Sequence, residues 1–415
     1  MATTLVLGAG VIGITTAYYL AKAGRQVTVV DRQPESANET SFANAGLIAP
    51  GHSYTWASPR APKILFKSLF QDGQALRLKL SADPRMWSWA IKFLGNCNAE
   101  QSRLNTSRKL VLCRYSQEQL QALTAAEDLH YERLSQGLLY LYRDAASFAT
   151  GRNNMTVLAD GGMPLQILDA DQVVALEPSL FHARQLIAGA IYCPSDESGD
   201  ARLFTHDLTE RCKRLGVKFE MNCTIQGLES SADAIQAVLT DRGRMSADEY
   251  VLALGSYAPI VARQLGYRLP IYPVKGYSVT FPSGPGYSPP NIGGVDENNL
   301  VAYARFGDRL RFTATAEFTG YETRHSPADF AHMLQAGREL FPEGADYSQP
   351  TFWAGLRPMT PEGTPIMGRS KHRNLFLNVG HGHMGWTMSC GSARIVTDLI
   401  LGRVPDIDLT GMTLA

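Results

Sequence analysis

No charge of either sign dominates this sequence. Its 415 residues carry 39 Lys plus Arg against 39 Asp plus Glu, a formal net charge of +0. A nucleic-acid binder usually carries a basic excess, so that class is disfavoured. Cysteine is scarce and unpatterned: Cys97, Cys113, Cys193, Cys212, Cys223 and Cys390 form no CxxC pair. That argues against a disulfide framework or a zinc site, and for reduced thiols in a cytosolic protein. Long apolar runs are missing too. The N-terminal "LVLGAGVIGITTAYYLA" lacks the basic flank of a signal peptide, and no run of about 18 apolar residues elsewhere predicts a membrane span. Internal repeats and low-complexity segments are absent. What remains is an ordinary globular composition, 45% hydrophobic and 19% charged, with length enough for two or three folding units.

The first residues carry the sharpest signal. Leu5, Val6 and Leu7 predict a short buried strand, Gly8, Gly10 and Gly13 follow as GxGxxG, and Ile14, Ala17, Tyr18 and Ala21 recur at helical spacing. Gly24 stands where a left-handed helix cap is wanted. Residues 27–30 predict the next strand, closed by Asp31. A bare GxGxxG is weak evidence. Set between strand and helix, with an acid ending the following strand, it predicts a dinucleotide site. Gly8 permits the tight turn, Gly10 the approach of the pyrophosphate, and Gly13 close helix–strand packing. Ala9, Val11 and Ile12 fill the rest of a turn whose helix N-terminus favours phosphate charge. Asp31, followed by Arg32, is placed to accept hydrogen bonds from an adenosine ribose. The fingerprint does not separate NAD from FAD. The small-residue loop "ETSFANAGLIAPG", with Ser41, Ala45, Gly46 and Leu47, suits a second phosphate and a flat ring system, where an NAD unit would more often continue into another βα repeat.

Beyond it, "RMWSWAIKFLGNC" and "KLVLCRYSQEQLQALTAAE" read as helices, with Trp87 and Trp89 expected in the core. "ADEYVLALGSYAP" is a buried strand ending near Gly255, a second junction of the kind a doubly wound domain offers its dinucleotide. Residues 263–352 alternate strand and turn, as in "YPVKGYSVTF" and "DRLRFTATAEF", and predict an antiparallel sheet. "NLFLNVGHGHMGWTMSCGSARIVTDLILG" returns to strand, glycine turn and helix. The expected fold is α/β (α+β overall): a Rossmann-like domain from residues 1–75, 195–262 and 353–415, interrupted by an antiparallel-sheet substrate domain with helices from 76–194 and 263–352. His381 and His383 form an HxH pair without a visible third metal ligand, and no serine has a nucleophile-elbow context; no metal is expected.

These pieces resemble the D-amino acid oxidase superfamily of FAD-dependent oxidoreductases, and within it the D-amino acid dehydrogenase small-subunit family. The resemblance rests on "TSFANAG", "PSDESGDARLF", "YPVKGYS", "FWAGLRPMTPEGTPIMGR" and "GHGHMGWTMSCGS", spread over nearly the whole chain. It implies non-covalent FAD, oxidative deamination of D-amino acids to 2-oxo acids and ammonia by hydride transfer from Cα to flavin N5, and electron delivery to a quinone of the respiratory chain, on the cytoplasmic side of the inner membrane. Residue by residue, Gly8, Gly10, Gly13 and Asp31 match the AMP-binding fingerprint, and Ser41, Ala45 and Gly46 the phosphate- and flavin-facing loop. Ile225 matches an adenine-side position, and Gly385, Trp386 and Thr387 the turn approaching the flavin pyrimidine. Arg357 matches the arginine that relatives use for the substrate carboxylate. The chain departs from the family's pattern at "TATAE" (313–317, often GGMAE) and "APGHS" (49–53, often SPGYA), both expected on the substrate side.

The chemistry asks the protein for orientation more than for acid–base work: a carboxylate clamp, a dry pocket and a tyrosine, for which Tyr277 is the candidate. His52 faces flavin or substrate, or is a satisfied surface histidine. Arg357 is either the clamp or an ion-pair partner of Glu362 or Asp196 that ties loops together. Alternatives to a D-amino acid dehydrogenase are an oxidase of glycine or of a secondary amine such as hydroxyproline or sarcosine, an electron-shuttling flavoprotein subunit, and an NAD-dependent dehydrogenase. Residues 58–80, with Ile64, Leu65, Phe66, Leu69 and Phe70 among Arg60, Lys63 and Lys67, read as a basic amphipathic stretch suited to a membrane surface or as a helix on its own core.

Overall fold

A computed structural model describes residues 2–68, 76–78 and 82–414. Six strands form one sheet in the order Ile366–Arg369, Leu375–Val379, Glu249–Leu252, Thr3–Leu7, Gln26–Val30 and Lys218–Glu220. All neighbours are parallel except at the Ile366–Arg369 edge. Apolar runs such as Val6–Leu7 and Val29–Val30 are buried because helices cover one face and a three-stranded sheet, with the helix Ala258–Gln264, covers the other. The helix Val11–Lys22 connects the first two strands. It ends where Gly24, at φ +84°, lets its own N–H reach the Ala21 carbonyl and that of Arg25 reach Leu20, a Schellman closure.

The second sheet has nine strands. Its main path runs Thr351–Met359, Tyr272–Pro282, Arg309–Phe318, Val301–Phe306, Gly293–Asp296, Leu138–Tyr142, Gly189–Cys193 and Gln166–Leu168, with Leu76–Leu78 beside Arg309–Phe318. It is antiparallel, as expected, apart from two parallel pairings, Gly293–Asp296 with Leu138–Tyr142 and Leu76–Leu78 with Arg309–Phe318.

The chain divides in space differently from the expected boundaries at two places. Thr351–Met359 pairs along its length with Tyr272–Pro282, so it belongs to the second sheet rather than with residues 353–415. The 29-residue helix Ala99–Glu127 was assigned to the substrate side, yet its Leu110, Cys113 and Leu120 enter the same core as Val6, Ile14 and Met388 of the nucleotide side. It crosses the last helix, Gly385–Ile400, at Gly391, whose N–H donates to Ser116 Oγ at 2.9 Å. Trp87 also departs from expectation. In the helix Pro84–Gly95, Trp89 is 5% exposed and Trp87 47%, because residues two apart on a helix point to nearly opposite sides. Of the basic amphipathic stretch, Ala61–Ser68 is helical, and Leu69 and Phe70 lie outside the described residues.

A methyl group at Gly391 would stand 2.8 Å from Ser116 Cα and Cβ, so the two helices would have to separate. Overpacking of this kind costs about 1–3 kcal/mol. Gly391→Ala is expected to lower the thermal unfolding midpoint followed by circular dichroism, and an unchanged midpoint would mean the crossing is looser than described.

Candidate active site

One cavity of about 520 Å³ lies between the carboxyl ends of the six-stranded sheet and a face of the nine-stranded one. In open α/β sheets this crevice is where ligands bind. It gathers Gly8, Gly10, Val11, Ile12, Asp31, Arg32, Ser41, Ala45, Gly46, Leu47, His52, Ile225, Gly255, Tyr277, Arg357, Gly385, Trp386 and Thr387, residues that stand as much as 379 positions apart in sequence (387 − 8). Of the expected site residues only Ala9 and Gly13 are not in its wall, and both act behind it. Ala9 donates its N–H to Asp31 Oδ2 at 2.6 Å. Gly13 packs so closely that a Cβ would stand 1.8 Å from the Gly8 carbonyl oxygen.

At the nucleotide end, the helix Val11–Lys22 starts at Gly10, which has no side chain to cap it, so its N-terminal dipole faces the cavity. Ser41 Oγ accepts the Val11 N–H at 3.1 Å. Asp31 also accepts from Gln33 N–H at 2.8 Å, while burial raises its pKa against these bonds. Arg32 pairs with Glu39 at 2.6 Å and covers the Tyr257 ring at 4.0 Å, and Thr224 and Ile225 complete that end. Gly46, at φ +70°, approaches Phe306 so closely that a Cβ would meet its ring at 2.2 Å. The helix Gly385–Ile400 brings a second uncapped N-terminus to the wall.

Two residues of the last turn reach the wall differently from expectation. Thr387 Oγ1 accepts the Ala49 N–H at 3.1 Å and donates to the Leu47 carbonyl at 3.2 Å, so its hydroxyl ties the loop to the helix. The Trp386 ring packs on Phe204, 4.6 Å between centroids, and edge-on to Tyr131.

At the inner end stands Arg357. Its guanidinium lies over Gly276, where any Cβ would come within 2.4 Å of it. Nη1 donates to the Thr315 carbonyl at 2.6 Å, and burial lowers its pKa to about 10. No ion pair to it occurs among the described residues. Of the two partners considered for a loop-tying pair, Asp196 is held by Tyr140 at 2.5 Å and by the Gly51 N–H at 3.0 Å. Tyr277 is buried and its hydroxyl donates to Glu317, which also faces Lys275 at 3.7 Å. Burial, with Glu317 adding to it, raises the phenol pKa, so Tyr277 is a neutral wall. His52 bonds Glu297 through Nε2 at 2.6 Å and stacks on Tyr140 at 4.9 Å.

Sequence reasoning missed Trp56, Trp353 and the chemistry of the two histidines. His383 stacks on Trp56 at 4.9 Å, and His381 Nε2 meets Ser392 Oγ at 3.0 Å. Burial drives the His381 pKa down to about 3. His383 is also pushed well down, by burial first and then by the positive charges of Lys109 and Arg357. Both rings therefore face the cavity uncharged. The HxH spacing drew attention to metals, whereas the alternative signal, a glycine-flanked turn after a buried strand, points to a cavity rim.

Residues 3–399 match the family described as DAO, FAD dependent oxidoreductase. The chain belongs to this family. Relatives named D-amino acid dehydrogenase are similar to it at nearly full length. That of Rhizobium johnstonii is 45% identical, covering 97% of each chain. "D-amino acid dehydrogenase 2" of Mesorhizobium japonicum is 42% identical over 98% of each, and the Vibrio cholerae protein 42% over 100% of this chain and 98% of its own. Among solved structures, glycine oxidase from Geobacillus kaustophilus superposes with a TM-score of 0.75 at 22% identity, over 100% of this chain and 99% of that one. L-proline dehydrogenase from P. horikoshii gives 0.75 at 17% identity, over 97% and 94%. Likeness at that identity speaks for the fold. The protein is thus an FAD-dependent oxidoreductase, and the electron-shuttle and NAD readings fall away.

The cavity fits that cofactor. It offers a glycine turn with no room for side chains, two helix N-termini for phosphate, an acid for a ribose, and apolar lining that includes Leu47 and Ala302. The purified protein should show flavin absorbance, and acid should release the cofactor intact. Gly13→Ala, which forces the fingerprint turn off the helix, should retain less than about a tenth of wild-type flavin per protein, a loss of about 1.4 kcal/mol or more in binding. A colourless wild type that takes up no FAD would contradict this reading.

Proposed function

We propose that this protein oxidatively deaminates D-amino acids to 2-oxo acids and ammonia. The observation that carries the reading is Arg357, a half-buried guanidinium in a cavity wall, with one backbone carbonyl as partner and no ion pair among the described residues. Taking an unpaired cation out of water costs several kcal/mol, and a substrate carboxylate offsets that cost when it binds. The guanidinium fork matches a carboxylate in two hydrogen bonds and so fixes the direction of Cα as well as the charge. Bound FAD supplies the two-electron acceptor that takes hydride from that carbon. Trp56, Trp353 and the neutral His383 keep the surroundings low in competing charge. Water then hydrolyses the imino acid to 2-oxo acid and ammonia. The names of the relatives support this substrate class over glycine or a secondary amine.

Anaerobic bleaching of the bound flavin by a panel of D- and L-amino acids, glycine and sarcosine tests the reading, and bleaching by glycine or sarcosine alone would overturn it. A hydrogen bond to a charged group is worth about 1.5–3 kcal/mol. Arg357→Ala should therefore lower kcat/KM by about 10- to 150-fold with flavin content unchanged, and Arg357→Lys should recover part of the loss. Because the wild-type cation is unpaired, the alanine variant should melt no earlier than wild type. Early melting with a normal KM in the residual holoenzyme would make Arg357 structural.

The electron acceptor in this reading is a quinone met at a membrane surface. No helix among the described residues is long and apolar enough to cross a membrane. Two helices do turn large apolar side chains outward: Ile64 and Phe66 on Ala61–Ser68, and Trp87, Ile91 and Leu94 on Pro84–Gly95. Arg60, Lys63 and Lys92 are exposed beside them. Apolar anchors ringed by cations suit an anionic bilayer. Sedimentation with anionic vesicles at low salt should capture the protein, and Ile91→Glu should weaken capture while leaving dye-linked turnover unchanged. Recovery of the wild type wholly in the supernatant, with no reduction of a quinone analogue, would exclude this acceptor route.

A further inference from the structure

An α-amino acid reaches the site mostly as the ammonium, and an ammonium carbon does not give up hydride until a proton has left the nitrogen. The cavity wall has few groups able to take it. Tyr277 is held by Glu317, His381 is bonded to Ser392, His383 is stacked on Trp56 with its basicity pushed well down by burial, and the cation Arg357 does not take up a proton. His52 differs from all of these. Its Nε2 lies 2.6 Å from Glu297 Oε1, and the Tyr54 hydroxyl, 2.7 Å from the same nitrogen, reaches both Glu297 oxygens at 3.2 and 3.1 Å. A carboxylate only accepts, so Nε2 carries the imidazole proton and Nδ1 holds the bare lone pair. Nδ1 has no hydrogen-bond partner among the described residues, nor is it among the buried polar atoms left without one, and the ring lines the cavity. The lone pair is therefore not sealed off, on a ring that lines the cavity.

We infer that His52, oriented by Glu297 and Tyr54, is the group that accepts the proton of the substrate ammonium. This rests on the amino-acid reading of the site. The N–H bond breaks and an Nδ1–H bond forms; both of its electrons stay on the substrate nitrogen, which becomes the neutral amine. The imidazolium is stabilised by Glu297 until the proton passes to solvent as product leaves. The charged and titratable groups around it are Tyr54 on its own loop, Tyr140 and Tyr142 on Leu138–Tyr142, Asp196 beyond Gly189–Cys193, Glu297 beyond Gly293–Asp296, Lys109 through the Tyr54 carbonyl at 3.3 Å, and Arg357 and His383 across the cavity. Gly51 is required for this packing, since a Cβ there would stand 2.5 Å from Asp196 Oδ2.

The test uses holoenzyme and the best amino acid of the bleaching panel, with anaerobic flavin reduction followed across pH. Positioned proton transfer contributes about 10²–10⁴-fold. His52→Gln, at full flavin content, should be slower by about 100-fold or more at neutral pH and should approach wild type as pH rises and free amine becomes abundant in solution. Added imidazole should restore part of the neutral rate. Glu297→Gln should show a smaller deficit of the same shape. Nitrogen-15 spectra of histidine-labelled protein, with the His52 signal assigned by its loss in His52→Gln, should show the Nε2–H form. A loss constant across pH, or an Nδ1–H form, would overturn the inference. If no amino acid bleaches the wild-type flavin, the function reading fails instead, and the tautomer measurement still decides how His52 is held.

Discussion

Much of the inner cavity is arranged around one half-buried cation. Arg357 sits on the edge strand Thr351–Met359, and its guanidinium crosses the adjacent strand at Gly276, opposite Gly355 in the register. Room for it exists because residue 276 has no side chain. One strand further, Lys275 faces Glu317 and Tyr277 faces Ala314, so Thr315 and Ala316 together oppose Gly276 as a β-bulge. Thr315 takes φ +64° there, an uncommon conformation for a β-branched residue, and its carbonyl is the one that meets Arg357 Nη1. Strained backbone of this sort costs on the order of 1–3 kcal/mol and tends to sit where geometry is needed more than stability. Pro358 adds its own restriction by favouring an extended conformation at Arg357. The glycine, the bulge and the proline thus converge on the direction of a single side chain.

The other half of the cavity depends on a different constraint, the absence of Cβ atoms where backbone must touch backbone. Gly8 approaches the Ala253 carbonyl so closely that a Cβ would lie 2.6 Å from its oxygen. That contact joins the first fingerprint turn to the second strand–glycine junction, at the carboxyl ends of two adjacent parallel strands. Phosphate charge can then be met by N–H groups and helix dipoles rather than by basic side chains, in keeping with a balanced composition that carries no basic patch in the fingerprint.

How much of this was legible in the sequence varied with the range of the interaction. Gly8 to Asp31 is one local unit whose spacing and turn chemistry are all in thirty residues, so strand, helix, cap and acid could be read together. The nine-stranded sheet was recognisable from alternation, but not its edge: "TFWAGLRPM" looks like the start of a last domain until its pairing with Tyr272–Pro282 is seen, and pairing partners so far apart leave no mark on local pattern. Trp87 and Trp89 could have been separated by helical phase alone. Trp386 and Thr387 were found through the family's motif, yet the motif does not say that the ring turns to Phe204 or that the hydroxyl holds the Leu47–Ala49 backbone. The bulge at Thr315 is likewise invisible, since nothing in "TATAE" signals a left-handed threonine.

The distribution of acids follows from the same logic of charge. Two buried carboxylates and one half-buried one stand near the inner cavity, and each is already engaged. Asp196 is bonded by Tyr140 and the Gly51 N–H, Glu297 by His52 and Tyr54, and Glu317 by Tyr277 with Lys275 beside it. Burial lifts the Asp196 pKa to about 6 in spite of those bonds, which reduces its negative charge further. The acids that do line the cavity, Asp31 and Glu39, belong to its nucleotide end. On the proposed function, an incoming zwitterion finds a guanidinium for its carboxylate and no free carboxylate among the described residues lining the inner end for its ammonium. Binding through the anion is favoured, and retention of the extra proton on nitrogen is not. In the proposed reading Arg357 holds the substrate carboxylate, and the lack of a free carboxylate for the ammonium favours the neutral amine from which hydride can leave.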